Sequence, residues 1–117
     1  MHVLVFLTFG ISFNDWEKSG LLSREILIYK KLNKEKKINF TFVTFGGSKD
    51  EEIVKNFNVI PYYKYNKILK NKVLTFFQSL FFAYKLKNIV QKPDIIKTNQ
   101  LMGSWMGIIC KIIFSCP

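Results

Sequence analysis

Two stretches decide the fold: HVLVFLTF at residues 2–9, ending at Gly10, and INFTFVTF at 38–45, ending at Gly46-Gly47. The first is a continuous apolar run, too short for a helix. That is the pattern of a strand buried on both sides, as in the centre of a parallel sheet. The second alternates and is rich in β-branched and aromatic side chains, so it reads as a second strand. Between them, Leu22, Ile26 and Tyr29, and Leu21, Ile28 and Leu32, recur at three- and four-residue steps. They predict an amphipathic helix over residues 20–32. Residues 11–19 read as a polar loop, and Ser19 is placed to cap the helix that follows. Lys30, Lys31 and Lys34 then complement the dipole at its C-terminal end.

Outward from this unit the pattern continues. Residues 49–57 suit a short helix, with Ser48 as cap, acids 50–52 in the first turn, and Ile53, Val54 and Phe57 inward. A third strand is expected at 58–64, with Pro61 shortening its ladder or placing it at an edge. Residues 67–91 form the longest helical pattern. Its wide stripe of Leu69, Val73, Phe76, Phe77, Leu80, Ala83, Tyr84, Leu86 and Val90 is expected to face the core. The opposite line is Asn71, Thr75, Gln78, Phe82 and Lys85, and Phe82 makes the helix apolar on more than one side. Pro93 stops it. A fourth strand follows at 94–98, and a last helix at 103–114. Alternation of this kind predicts an α/β fold, a Rossmann-like parallel sheet with helices on both faces. Ligands in such sheets bind beyond the carboxyl ends of the strands, here at residues 8–10, 44–47 and 98–100.

The chain has 117 residues, room for one domain, and 49% apolar residues, enough for a packed core. Its net charge is +10, and the excess is concentrated. Residues 53–93 carry eight lysines and no acid, and Arg24 is the only arginine in the chain. Nucleic-acid surfaces usually use arginine, with aromatics arranged to stack on bases, so no nucleic-acid partner is expected. Lysines at both ends of a Phe-rich helix suit an anionic lipid surface, and equally a solvated rim on a core helix. Cys110, Cys116 and His2 form no metal-binding spacing, and a buried free Cys110 is the default. Asp50, Glu51 and Glu52 are explained by a helix first turn more simply than by a metal, so no metal and no cofactor are expected.

The loop from Gly10 to Ser19-Gly20 is neither a dinucleotide fingerprint nor a phosphate-binding P-loop. It can admit a phosphate at a helix start, or be an ordinary capped loop. Gly46-Gly47 reads as a turn needing positive φ. Asn99 and Gln100 suit sugar hydroxyls, or belong to a plain polar loop. The first apolar run has neither a basic region before it nor a cleavage site after it, and no stretch of about 18 apolar residues exists. The expectation is a cytoplasmic protein, peripheral at the inner face of the membrane.

The ordered set WEKSGLLSREILIY (16–29), FVTFGG (42–47), NVIPY (58–62) and PDIIKTNQLMG (93–103) resembles the N-terminal half of the family 4 retaining glycosyltransferases, which have the GT-B fold. The resemblance spans nearly the whole chain. It implies a partial N-terminal, acceptor-side domain over 1–117, with the donor-binding C-terminal domain absent and transfer inactive in isolation. It implies a nucleotide-sugar donor and a glycan or lipid-linked acceptor. Ser19 and Gly20 would then lie near the donor diphosphate, and Asn99 and Gln100 near the sugar. Where many members end the fourth strand in a D-x-x-H-x-H pattern, this chain has Asp94-Ile-Ile-Lys97-Thr98-Asn99, so the histidine's catalytic role is empty or falls to Asn99 or Lys97. Surface at Phe76, Phe82, Trp105 and residues 102–114 would be left uncovered, and the isolated chain insoluble, membrane-adsorbed or partly molten. The alternative from another class is a non-enzymatic basic module binding anionic membranes through residues 66–92.

Overall fold

The computed structural model describes residues 1–55, 57–98 and 104–115. Four strands, β1 (His2–Phe6), β2 (Asn39–Thr44), β3 (Asn58–Pro61) and β4 (Ile95–Thr98), form one sheet in the order β3-β2-β1-β4. All three pairings are parallel, with Val3 opposite both Phe40 and Ile95. β1 and β2, the two stretches read as strands first, occupy the centre. β3 lies at an edge, and Pro61 ends it, where the missing N–H costs no ladder bond.

The helices cover both faces. α1 (Phe13–Ser19), α2 (Leu22–Lys36) and α3 (Lys49–Ile53) lie on one. There Val3, Val5, Leu7, Phe40 and Phe42 pack with Phe13, Ile26, Tyr29 and Val54. A single turn, α4 (Tyr62–Tyr65), with α5 (Lys72–Ile89) and α6 (Ser104–Phe114), covers the other. There Leu4, Phe6, Val43 and Ile60 pack with Tyr62, Phe82, Leu86, Met106 and Phe114. The result is the Rossmann-like doubly wound arrangement that the alternation predicted. The chain steps outward from β1 to β3, then returns through α5 to lay β4 on the other side of β1.

Three local expectations are corrected. Residues 13–19 are helix α1, not loop. Ser12 caps it through a reciprocal pair: Ser12 Oγ accepts from Asp15 N at 3.1 Å, and the Asp15 carboxylate accepts from Ser12 N at 2.9 Å. Ser19 closes this helix instead of capping the next. Gly20 stands at φ 78°, donates to the Glu17 carbonyl, and Leu21 N reaches the Trp16 carbonyl at 2.9 Å. That is a Schellman stop, which needs glycine at the left-handed position. α2 then begins after Leu21 without a side-chain cap, and Ser48 gives none to α3.

The third correction concerns α5. Its buried side is Thr75, Ser79, Phe82, Ala83 and Leu86, so the core face joins Ala83 and Leu86 of the predicted stripe to Thr75 and Phe82 of the opposite line. Phe77 and Tyr84 of the stripe face outward, and Phe76 lies at its margin against Trp105. Small residues let α6 approach closely. The Trp105 indole N–H donates to Ser79 Oγ at 2.9 Å, and Cys110 Sγ lies 3.7 Å from the Ala83 carbonyl. Burying the two hydroxyls is tolerable because each also donates to a carbonyl of its own helix, Thr75 to Asn71 and Ser79 to Phe76. Phe82, expected at an uncovered surface, is fully buried, and Trp105 is half-buried.

Phe82 is 0% exposed and Phe81 is 72% exposed. Phe82→Ala is therefore expected to cost about 3–5 kcal/mol. Phe81→Ala should stay within about 0.5 kcal/mol of the parent. Urea denaturation of both variants checks the assignment, and the reverse order of costs would contradict it.

Candidate functional site

The carboxyl ends of the strands divide into a closed half and an open half. The closed half is organised by Asp50, whose side chain is 1% exposed. Its carboxylate accepts from Thr44 Oγ1 at 2.5 Å, from Phe13 N at 3.2 Å and from Asn14 N at 3.2 Å. One acid on α3 thus receives the end of β2 and the opening amides of α1, where the helix dipole also favours negative charge. Asp50 belongs to the first turn of α3, as its position suggested, but it points inward. Glu51 points elsewhere and pairs with Lys64 at 2.7 Å. Among the described residues, no three His, Cys, Asp or Glu side chains gather as a metal site would need.

Gly46 belongs to the same cluster for reasons of space. A Cβ there would lie 2.5 Å from Asp50 Oδ2 and 2.7 Å from Ser12 Cβ. Among the described residues the positive-φ glycines are Gly10 and Gly20, so the positive-φ reading of Gly46-Gly47 is corrected: close approach requires Gly46, and Gly47 has open space around it.

The open half lies between β1 and β4. After β1 the chain turns to α1 on one face, and after β4 to α6 on the other. Connections that diverge in this way mark a topological switch point, the place where such sheets bind ligands. The described side chains beside it are aromatic and pack against the core. Phe9 meets Phe45 at 4.9 Å and Trp105 at 5.1 Å, and Trp105 meets Phe76 at 5.1 Å between ring centroids. Gly107 lets α6 seat against β4, since a Cβ there would come within 2.9 Å of Thr98 Cγ2. Phe9 lies in the strand end expected to face a ligand, at residues 8–10, whereas Gly107 was not singled out from sequence. A glycine inside an apolar helical run beside a strand end is the signal that points to such a seat.

The other sequence candidates are dispersed. Asn99 and Gln100 lie outside the described residues. Lys97 projects to the α2 face, where its Nζ donates to Tyr29 Oη at 3.2 Å and sits 5.7 Å from the ring centroid. The sheet separates it from Trp105. Ser19 and Gly20 lie at the far end of α1, seven residues or roughly 10 Å from its Ser12 cap. After them and the cap residue Leu21 come Leu22, Ser23 and Arg24, whose amides open α2.

A concavity of about 670 Å³ lies at the opposite, amino-terminal end of the sheet, lined by His2, Asn39, Thr41, Asn58 and Gln91 among others. His2 Nε2 is 2.8 Å from Thr41 Oγ1 within it. Topology favours the carboxyl ends, because there the chain leaves β1 and β4 toward opposite faces of the sheet.

Tyr62, buried just after β3, donates from its hydroxyl to Gln78 Oε1 at 2.7 Å. Burial, and then the neighbouring Tyr63, push the Tyr62 phenol well above its ordinary range. No protein-family model, no curated protein and no solved structure matches the chain, so functional assignment rests on its own residues and geometry.

Asp50→Ala leaves the Thr44 hydroxyl and two helix-opening amides without their acceptor. It is expected to destabilise by about 3 kcal/mol. Gly46→Ala should be comparably harmful through overpacking, about 1–3 kcal/mol. Chemical denaturation reads both, and near-parental stability of either would refute the cluster's role.

Because the folded state holds the Tyr62 proton more tightly than the unfolded state, this contribution is fully present below the ordinary phenol value of 10.0. It is lost as pH rises above that value, toward the raised folded one. Denaturation across that range should show the parent losing stability more steeply than Tyr62→Phe. Identical slopes would contradict it.

Proposed function

We propose that this chain is the acceptor-side domain of a glycosyltransferase that takes its sugar from a nucleotide-sugar donor. The observation that carries the reading is the topological switch point between β1 and β4, flanked by the ring contacts of Phe9, Trp105 and Phe76. The motif resemblance supports it independently, since its segments supply the turn after α1, the end of β2, β3 and β4.

The arrangement suits an acceptor in two ways. Flat aromatic side chains offer apolar area to a sugar ring or a lipid-linked group at small entropic cost. The helix-opening amides of α1 already serve Asp50 and the Ser12–Asp15 pair, so a diphosphate does not bind there. On this reading the amides that open α2, following Ser19 and Gly20, turn toward the donor. Catalysis then needs a partner domain to complete the cleft, and Lys97, held by Tyr29, acts as a positioning residue at most.

Titration of ¹⁵N-labelled chain with an oligosaccharide acceptor and with a nucleoside diphosphate tests this. Acceptor shifts are expected at residues 8–10, Thr98 and the Trp105 indole, and diphosphate shifts at residues 20–24. No sugar transfer is expected from the isolated chain. Shifts clustered at His2, Asn39 and Asn58, or turnover by the isolated chain, would overturn the proposal.

A further inference from the structure

α5 is apolar on two opposite sides, and folding uses only one. Val73, Leu74, Phe77, Phe81 and Tyr84 point away from the core, each more than half exposed. The segment before the helix adds Ile68, which is 79% exposed, and Leu69. A shallow groove of about 600 Å³ runs between that segment and the helix, lined by Leu69, Leu74, Phe77 and Phe81 with Lys67 and Lys85 at its margins. Contiguous apolar surface of this kind is uncommon on a monomer without a partner.

The rim is cationic. Lys67, Lys70, Lys72, Lys85 and Lys87 are all exposed, and residues 53–93 contain no acid. Among the described residues the ion pairs are Arg24–Glu25 and Lys64–Glu51, neither on this rim.

We propose that this outer face of α5 docks on a membrane surface bearing anionic headgroups, with Phe77 and Phe81 entering the interface and Lys67, Lys70 and Lys85 meeting the headgroups. An apolar centre with lysines around it is complementary to such a surface. It is poorly complementary to a second copy, whose identical face carries the same charge within a net +10. No helix among the described residues is long and apolar enough to cross a membrane, so α5 lies on the bilayer. The proposal stands whether or not the chain takes part in sugar transfer.

Co-sedimentation of the chain with phosphatidylcholine vesicles, with or without about one-third phosphatidylglycerol, tests it at low and high salt. Binding is expected to the anionic vesicles only, and to weaken as salt rises. Phe77→Ser with Phe81→Ser, which leaves the charge unchanged, should weaken binding about tenfold or more. Thermal melts confirm that this variant remains folded, both side chains lying outside the core. Lys70→Glu with Lys85→Glu should be comparably harmful. The same charge change on α2, Lys31→Glu with Lys34→Glu, should cost less than about twofold. Undiminished binding by the double serine variant, equal loss from the α2 pair, or equal binding to neutral vesicles would overturn the proposal. So would vesicle-free self-association that the serine variant abolishes, without vesicle binding, since that gives the face to a second copy.

Discussion

A carboxylate removed from water must be surrounded by donors that the fold holds in place, because nothing else offsets its lost hydration. In this chain that carboxylate is Asp50. Its acceptor oxygens fix the last residue of β2 through Thr44, and fix the start of α1 through the amides of Phe13 and Asn14. The approach is so close that the residue after Phe45 has no room for a side chain. The loops after β1 and β2 are therefore one unit. They close the β1/β2 half of the sheet's carboxyl end. In many nucleotide-binding sheets the first helix turns its opening amides to a phosphate. Here the protein supplies the anion itself.

The strands were legible because β1 is a short uninterrupted apolar run and β2 is an alternating stretch rich in β-branched and aromatic side chains. The parallel order follows from the alternation of strands with helices. α1 was not legible from polarity. Asn14, Asp15, Glu17 and Lys18 look like loop, and only the Ser12–Asp15 spacing marks a helix start. Reading that pair would also have moved Ser19 from the start of one helix to the end of another. Asp50 was legible as a helix-start acid, but not as a buried one. Its amide partners are 36 and 37 residues away in sequence, and periodicity carries no such information.

The face of α5 shows a different limit. Hydrophobic periodicity identifies an apolar stripe, but a helix with two stripes gives no sign of which one packs. Bulk alone favours the side with Phe76, Phe77 and Tyr84. Close packing favours the other, because Ser79 and Ala83 leave a trough that α6 fills with Trp105 and Cys110. Interiors are close-packed, so the stripe that permits interdigitation prevails over the one with more carbon. Phe82, on the same buried side, meets Tyr62 edge-to-face at 5.1 Å.

The two uses proposed for this half of the molecule meet on one helix. Phe76 stands beside the switch point against Trp105, while Phe77, next in the chain, points to the outer face. Consecutive helix residues diverge by roughly 100°, so one turn of α5 presents a ring to each. The helix is anchored along its third side by Phe82, Ala83 and Leu86, which leaves it no freedom to rotate between the two. A lipid surface held at Phe77 would therefore lie at a fixed distance and angle from the switch point, on the order of a helix diameter, about 10 Å. An acceptor anchored in that surface would reach Phe9 and Trp105 by extending its head group alone. One rigid helix would set both the depth of docking and the reach required of the acceptor.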